Sequence, residues 1–362
     1  MITNFDSNKI NKSAYKKVDD YEDNFAKINN IKTQLMFGEI KTNNPFLTVI
    51  IPTYKRKTLL EEAINSVLKQ KTNFPWEFII IDNTELDKCK ETPALKIVKK
   101  INDERILYYH NDVNIGSGYS WNRAVELAHG KWITFLHDDD VLCENALENI
   151  SNIIKKYQHI KKPLGYIHAR KKNFTGIFKE NLIKFKKIPF NLELTRFTTL
   201  ILGHTHTGMP TCGTTILKEA YVNAGGINYD FGPTADAVLG YKIMQNYTVI
   251  RSGVTLGGYR WMDNETLKVH TIKQLIISDK LFAEYRYSLS KFSFFWGMIF
   301  GNIQMMININ DKLAILKKYE VNDIAIGKYE NITKNNLKIF LYKIIILICK
   351  ICMCIKGIIL YR

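Results

Sequence analysis

Acidic charge is scarce in this chain. Across 362 residues, 51 Lys and Arg stand against 35 Asp and Glu, a net charge of +16. Such a surplus favours an anionic partner: nucleic acid, an acidic membrane surface or a phosphorylated ligand. Nucleic acid is disfavoured, because no helix-turn-helix, zinc-finger or RNA-recognition signature accompanies the charge. The phosphate loop GxxxxGK(S/T) is missing, and "GSG" at 116–118 lacks the third glycine of a dinucleotide fingerprint. Cysteine is sparse as well. Cys89, Cys143 and Cys212 lie far apart, and the tail cluster Cys349, Cys352 and Cys354 has no second Cys/His pair at zinc spacing. Residues 1–44 contain no apolar run, so no secretory leader is expected and the protein is placed on the cytosolic side.

What is present is a globular composition, 46% hydrophobic and 24% charged, which excludes a disordered chain. Tyr15, Val18, Phe25, Ile28 and Leu35 recur at three-, four- and seven-residue spacings, which predicts an N-terminal helical arm over 1–44. From Phe46 the pattern alternates. "FLTVIIPTY", "WEFIIIDNT", "RILYYHND" and "KWITFLHDDD" are apolar runs of strand length. "KTLLEEAINSVLKQ", "PALKIVKKI", "SWNRAVELAHG" and "ENALENISNIIKKY" between and after them have helical spacing. This predicts an α/β fold, a mostly parallel sheet flanked by helices. The alternation weakens after about residue 160. "GYIHAR", "GTTILK", "TVIRS" and "TLGGYR" read as strands, "ADAVLGYKIMQN" as a helix, and 267–319 as aromatic-rich helices. The expected segments are the arm over 1–44, a catalytic domain over 45–265, a helical extension over 266–330 and a basic apolar tail over 331–362.

Ligands in such sheets collect at the carboxyl ends of the strands, where Tyr54, Asp82, Asn111 and Asp138–Asp140 fall. Three adjacent carboxylates after a buried strand must be solvated, protonated or neutralised. Hard divalent cations commonly take one or two carboxylates and complete their shell with phosphate and water, so Asp139 and Asp140 are candidate ligands for Mn²⁺ or Mg²⁺. The Tyr54 ring can stack on a planar base, and Asp82 can accept from a pyrimidine imide N–H. A turn or cap aspartate is the plainer role for Asp82.

The set "VIIPTYKR", "EFIIIDNT", "NIGSGYSWNRAVELAHGKWITFLHDDD" and "AGGINYDFGPTADAVLGYKI" resembles glycosyltransferase family 2, with the GT-A fold, over roughly residues 46–260. The resemblance implies inverting transfer of a sugar from a nucleotide-diphosphate donor, a UDP-sugar first, to a glycan or lipid-linked acceptor in surface polysaccharide synthesis. It implies that Pro52, Thr53 and Tyr54 line the base site, that Asp82 contacts the base, and that Asn122 and Arg123 lie near the donor. Asp138 would contact ribose or sugar, Asp139 the metal, and Asp236 would be the general base. With such a donor and acceptor, Arg260 in "GGYRW" is a candidate for the diphosphate, and His204 and His206 in "LGHTHTGMP" for the acceptor or the metal. Two departures stand out: His137 occupies a position commonly Asp, and Ala235 precedes Asp236 where Glu is common.

The tail "LKIFLYKIIILICKICMCIKGIILYR" is long enough to span a bilayer, but Lys338, Lys343, Lys350 and Lys356 interrupt it. An interfacial helix with snorkelling lysines fits better, with an anionic membrane surface as partner. The rival readings are a nucleotidyltransferase and a non-catalytic sugar- or membrane-binding scaffold on the same fold.

Overall fold

The computed structural model describes residues 10–41, 44–179, 191–195, 208–261 and 268–289. It also describes seven helical positions: Phe340, Leu341, Ile344, Leu347, Ile348, Ile351 and Ile355. Four strands make the centre: β2 (Leu47–Thr53), β3 (Trp76–Asp82), β4 (Ile106–Asn111) and β5 (Trp132–Leu136). They run parallel in the order β4-β3-β2-β5. Every residue of β2, β4 and β5 is buried, which is why their sequences are continuous apolar runs rather than alternating ones.

Helices α1 (Leu60–Leu68), α2 (Pro93–Ile101) and α3 (Gly116–Leu127) connect these strands, and α4 (Ala146–Tyr157) follows them. The α2 helix shows why its bounds were legible. Thr92 caps it by accepting the Leu95 N–H, Pro93 opens it, and Asn102 closes it in the left-handed region. The α3 helix starts earlier than predicted, at Gly116. There Gly118 packs so closely on Ile227 and Tyr229 that a side chain would collide with both. "GSG" is therefore a helix start pressed against the 227–229 loop.

Beyond β5 the sheet becomes mixed. β9 (Cys212–Leu217) is antiparallel to β5 and to β7 (Leu164–Phe174), and β7 is parallel to β10 (Thr248–Arg260). The two short strands β6 (Val141–Leu142) and β8 (Leu192–Leu194) pair with β10. "TVIRS" and "TLGGYR" are thus one strand rather than two. The register shifts between Arg251 and Thr255, and the Gly253 N–H leaves the ladder to donate to Asn191. Helices α5 (Lys218–Asn223), α6 (Ala235–Asn246) and α7 (Val269–Ser288) complete the described fold.

Over residues 10–41, its described part, the N-terminal segment is not a helical arm. It forms two short 3₁₀ turns, Ala14–Lys16 and Ala26–Ile28, and then β1 (Thr33–Phe37), antiparallel on the edge of β4. Tyr15, Val18, Phe25 and Ile28 are buried as their spacing required, whereas Leu35 is 38% exposed. The apolar spacing records docking against the domain. Tyr15 donates to the Phe231 carbonyl at 2.7 Å, and Asn24 donates to the Gly225 carbonyl at 3.0 Å. Asp23 accepts from the Phe25 and Ala26 N–H groups, a local turn that competes with helix.

Candidate active site

The end of β5 leads into the acidic turn, and the structure divides its three carboxylates. Asp138 and Asp139 face the end of β2. The Thr53 hydroxyl donates to Asp138 Oδ2 at 2.7 Å. Arg56 Nη2 donates to Asp138 Oδ1 at 2.8 Å and reaches Asp139 Oδ2 at 3.1 Å. One nitrogen therefore bridges both carboxylates. Burial opposes the charge on Arg56, but the hydrogen bonds and charges of the two aspartates outweigh it and raise its pKa. Arg56 lies in the quoted "PTYKR" motif, and a basic residue one turn beyond a strand end was the available signal for it.

Asp140 is not part of this pair. Its carboxylate is buried, accepting the Arg260 backbone N–H at 2.8 Å and the Cys212 thiol at 3.1 Å. Burial pushes its pKa up, against the lowering influence of His137 and the Arg260 N–H. Successive side chains in a tight turn diverge, so adjacency in sequence does not make Asp140 a partner of Asp139. His137, on the other side of the triplet, packs edge-on against Trp121 with ring centres 5.4 Å apart.

Arg260 also takes a different place from the one predicted. Its side chain is turned into the protein. Nε donates to the Asp139 carbonyl at 2.7 Å, Nη1 donates to the Gly176 carbonyl, and Nη2 pairs with Glu62 at 2.5 Å. Its guanidinium also covers the Phe174 ring. Arg260 is a clamp on the backbone of the acidic turn, not an open diphosphate ligand.

On the nucleotide side, Pro52 and Thr53 are buried in the last turn of β2, while Tyr54 is 41% exposed with the Lys55 ammonium over its ring. Asp82 is fully buried; Oδ1 accepts the Thr84 N–H at 2.8 Å and Oδ2 the Tyr108 hydroxyl at 2.6 Å. Burial, reinforced by the charge of Asp82, pushes the Tyr108 pKa far up, so that phenol stays a donor. Asp82 is thus a turn-forming aspartate that offers no surface atom to a base in this state. Asn122 and Arg123 brace other parts of the fold. Asn122 is locked to Ile227 and Tyr221, and Arg123 donates to the Ile28 and Ile31 carbonyls of the N-terminal segment.

Asp236 stands at the start of α6, partly buried. Its Oδ2 accepts the Met209 N–H at 2.8 Å and its Oδ1 the Ala237 N–H at 2.7 Å. Lys171 on β7 lies between the two acidic regions. Burial lowers its pKa, and the charges of Cys212, Asp140 and Asp236 act the other way. Its ammonium sits 3.4 Å from the Tyr259 ring centre. His204 and His206 lie outside the described residues.

At the carboxyl end of the sheet, the Asp138–Asp139 pair has donors that suit a divalent cation. Among the described residues no group of three or more His, Cys, Asp or Glu converges to hold a metal. Two carboxylates already converge on one cationic nitrogen, however, which suits a hard ion whose remaining ligands come from a diphosphate and water.

Curated relatives include the GalNAc(5)-diNAcBac-PP-undecaprenol beta-1,3-glucosyltransferase of Campylobacter jejuni, 34% identical over 118 residues. That match covers 32% of this chain and 37% of the relative. The uncharacterized glycosyltransferase MG060 of Mycoplasma genitalium is 30% identical over 164 residues, 42% of this chain and 54% of the relative. The matches therefore span about a third to a half of those relatives' length. Among solved structures, a TarS fragment of S. aureus in complex with UDP-GlcNAc is 17% identical. It has a TM-score of 0.49, over 74% of this chain and 81% of that one. The mannosyltransferase PcManGT from Pyrobaculum calidifontis, in complex with GDP-Man and Mn²⁺, is 13% identical with a TM-score of 0.49 over 93% of both chains. The sequence pattern of glycosyl transferase family 2 matches residues 48–220, the stretch that carries β2 through β5 and the acidic turn, and the chain contains a domain of that family.

Proposed function

We propose that the protein transfers a sugar, with inversion, from a nucleotide-diphosphate donor to a hydroxyl of a glycan or lipid-linked acceptor. One observation carries this reading: Asp138 and Asp139 converge on a single cation position at the carboxyl end of a parallel sheet. In this reading Asp138 and Asp139 hold Mn²⁺ or Mg²⁺, which when bound neutralises charge developing on the leaving phosphate oxygens. Asp236 takes the proton of the attacking hydroxyl. Its two oxygens are held by backbone N–H groups, which orient the carboxylate. Exposed Tyr54 offers a ring to the base, and Arg260 keeps the acidic turn in place from behind. The named activity of the Campylobacter jejuni relative supports a lipid-linked acceptor.

The test is product analysis. Purified protein given Mn²⁺ and a panel of UDP- and GDP-sugars should release nucleoside diphosphate, and EDTA should stop the release. Release of pyrophosphate from a nucleoside triphosphate instead would assign nucleotidyl transfer.

The tail belongs to the same proposal. Phe340, Leu341, Ile344, Leu347, Ile348, Ile351 and Ile355 are helical and all exposed. At about 100° per residue they share one stripe roughly 120° wide. Among the described residues no helix is long and apolar enough to cross a membrane. We read the stripe as a face that lies on an anionic leaflet, helped by the six basic residues from Lys334 to Arg362, each contributing on the order of 1 kcal/mol. Removing residues after Tyr329 should move the protein out of the membrane fraction. Retention there would reject the tail as the anchor.

A further inference from the structure

Arg56 occupies the position that a metal would need. A divalent ion held by Asp138 and Asp139 would need the space between their oxygens that Nη2, hydrogen-bonded to both, now fills, and two positive charges cannot share it. We infer that Arg56 is an exchangeable internal counter-ion. It neutralises the aspartate pair while no donor is bound, gives way to the metal, and turns to the diphosphate. The cation then binds tightly only together with the nucleotide. This rests on the metal reading proposed above.

Four features make Arg56 releasable. It holds the carboxylates through one nitrogen rather than through a bidentate fork, the stronger geometry open to arginine. Its Nε is buried with no hydrogen-bond partner, so the present pose leaves a donor unsatisfied. It also lies in the irregular segment between β2 and α1, flanked by Lys55 and Leu59, both at positive φ, rather than on a strand. Its side chain is 33% exposed, so withdrawing it does not open a packed core.

Displacement leaves a guanidinium beside an incoming polyphosphate, the anion that its fork matches best. Without nucleotide, the metal must expel an arginine that gains no new partner. With nucleotide, the expelled arginine regains one. The difference appears as positive coupling between metal and nucleotide, and such couplings typically amount to about 5–150-fold in affinity.

The experiment measures Mn²⁺ binding to the full chain by electron paramagnetic resonance and calorimetry, alone and with UDP or GDP. Wild type, Arg56→Gln and Arg56→Lys are compared. Wild type should bind Mn²⁺ weakly alone and at least about fivefold more tightly with nucleotide. Arg56→Gln should bind Mn²⁺ alone several-fold more tightly than wild type and lose most of the coupling. Arg56→Lys keeps a cation there and should stay near wild type, which separates the charge from any change in folding. If Arg56→Gln binds Mn²⁺ alone no better than wild type, the counter-ion role is wrong while the metal reading survives. If folded wild type binds no Mn²⁺ with either nucleotide, the metal reading fails and this inference with it.

Discussion

Two arginines address one acidic turn from opposite sides, and they are built differently. Arg260 comes from a strand, is almost completely buried, and uses its backbone N–H and three side-chain nitrogens on the turn, on Gly176 and on Glu62. Arg56 comes from an irregular segment, is a third exposed, and uses one nitrogen on two carboxylates. The first arrangement fixes backbone; the second balances charge that something else can later balance. A site that exchanges ions requires both, because the turn must keep its shape while its counter-ion changes.

The contrast can be broken by substitution, and the largest effect should come from Arg260. Arg260→Met leaves the Asp139 and Gly176 carbonyls without their donor and Glu62 without its partner. Thermal or denaturant unfolding should record a loss of about 3 kcal/mol or more. Asp236→Asn tests the acceptor side against the nucleotide side. Turnover should fall roughly a hundredfold while nucleotide affinity stays at its wild-type value. Near-normal turnover would place the general base elsewhere. Tyr15→Phe tests whether the N-terminal segment is part of the domain. The variant leaves the buried Phe231 carbonyl without that donor, and unfolding should detect a loss of about 1 kcal/mol. Arg56→Gln should cost clearly less than Arg260→Met, because the Arg56 side chain is a third exposed and the glutamine amide can still donate to a carboxylate. A loss comparable to that of Arg260→Met would make the two arginines equivalent and remove the distinction.

The parallel half of the sheet was legible because burial on both faces leaves an unambiguous trace, a run such as Leu47–Thr53 followed at once by polar residues. The stretch "ADAVLGYKIMQN", read as a helix, is the α6 helix residue for residue, although it is buried on nearly every face and has no side-chain cap. The N-terminal segment was misread because helical spacing also arises when separate turns dock apolar residues on one surface. β10 looked like two strands because Ser252 and Gly253 mark a register shift rather than an end. Within the site, the acidic triplet itself announced a need for neutralisation. Its neutralisers did not, because Arg56 and Arg260 reach it from 82 and 121 residues away. Nor does sequence say which way Asp140 turns, or that Asp82 is closed off by Tyr108.

Asp138 and Asp139 as the cation position of a nucleotide-diphosphate site carry the proposed function. It is tested most directly by titrating Mn²⁺ into wild type and Asp139→Asn in the presence of saturating UDP or GDP, with folding checked by circular dichroism. Wild type should give a bound, nucleotide-dependent Mn²⁺ signal, and a folded Asp139→Asn should lose at least about tenfold in Mn²⁺ affinity, the mark of one lost charged ligand. A folded Asp139→Asn that binds Mn²⁺ and nucleotide as wild type does would contradict it.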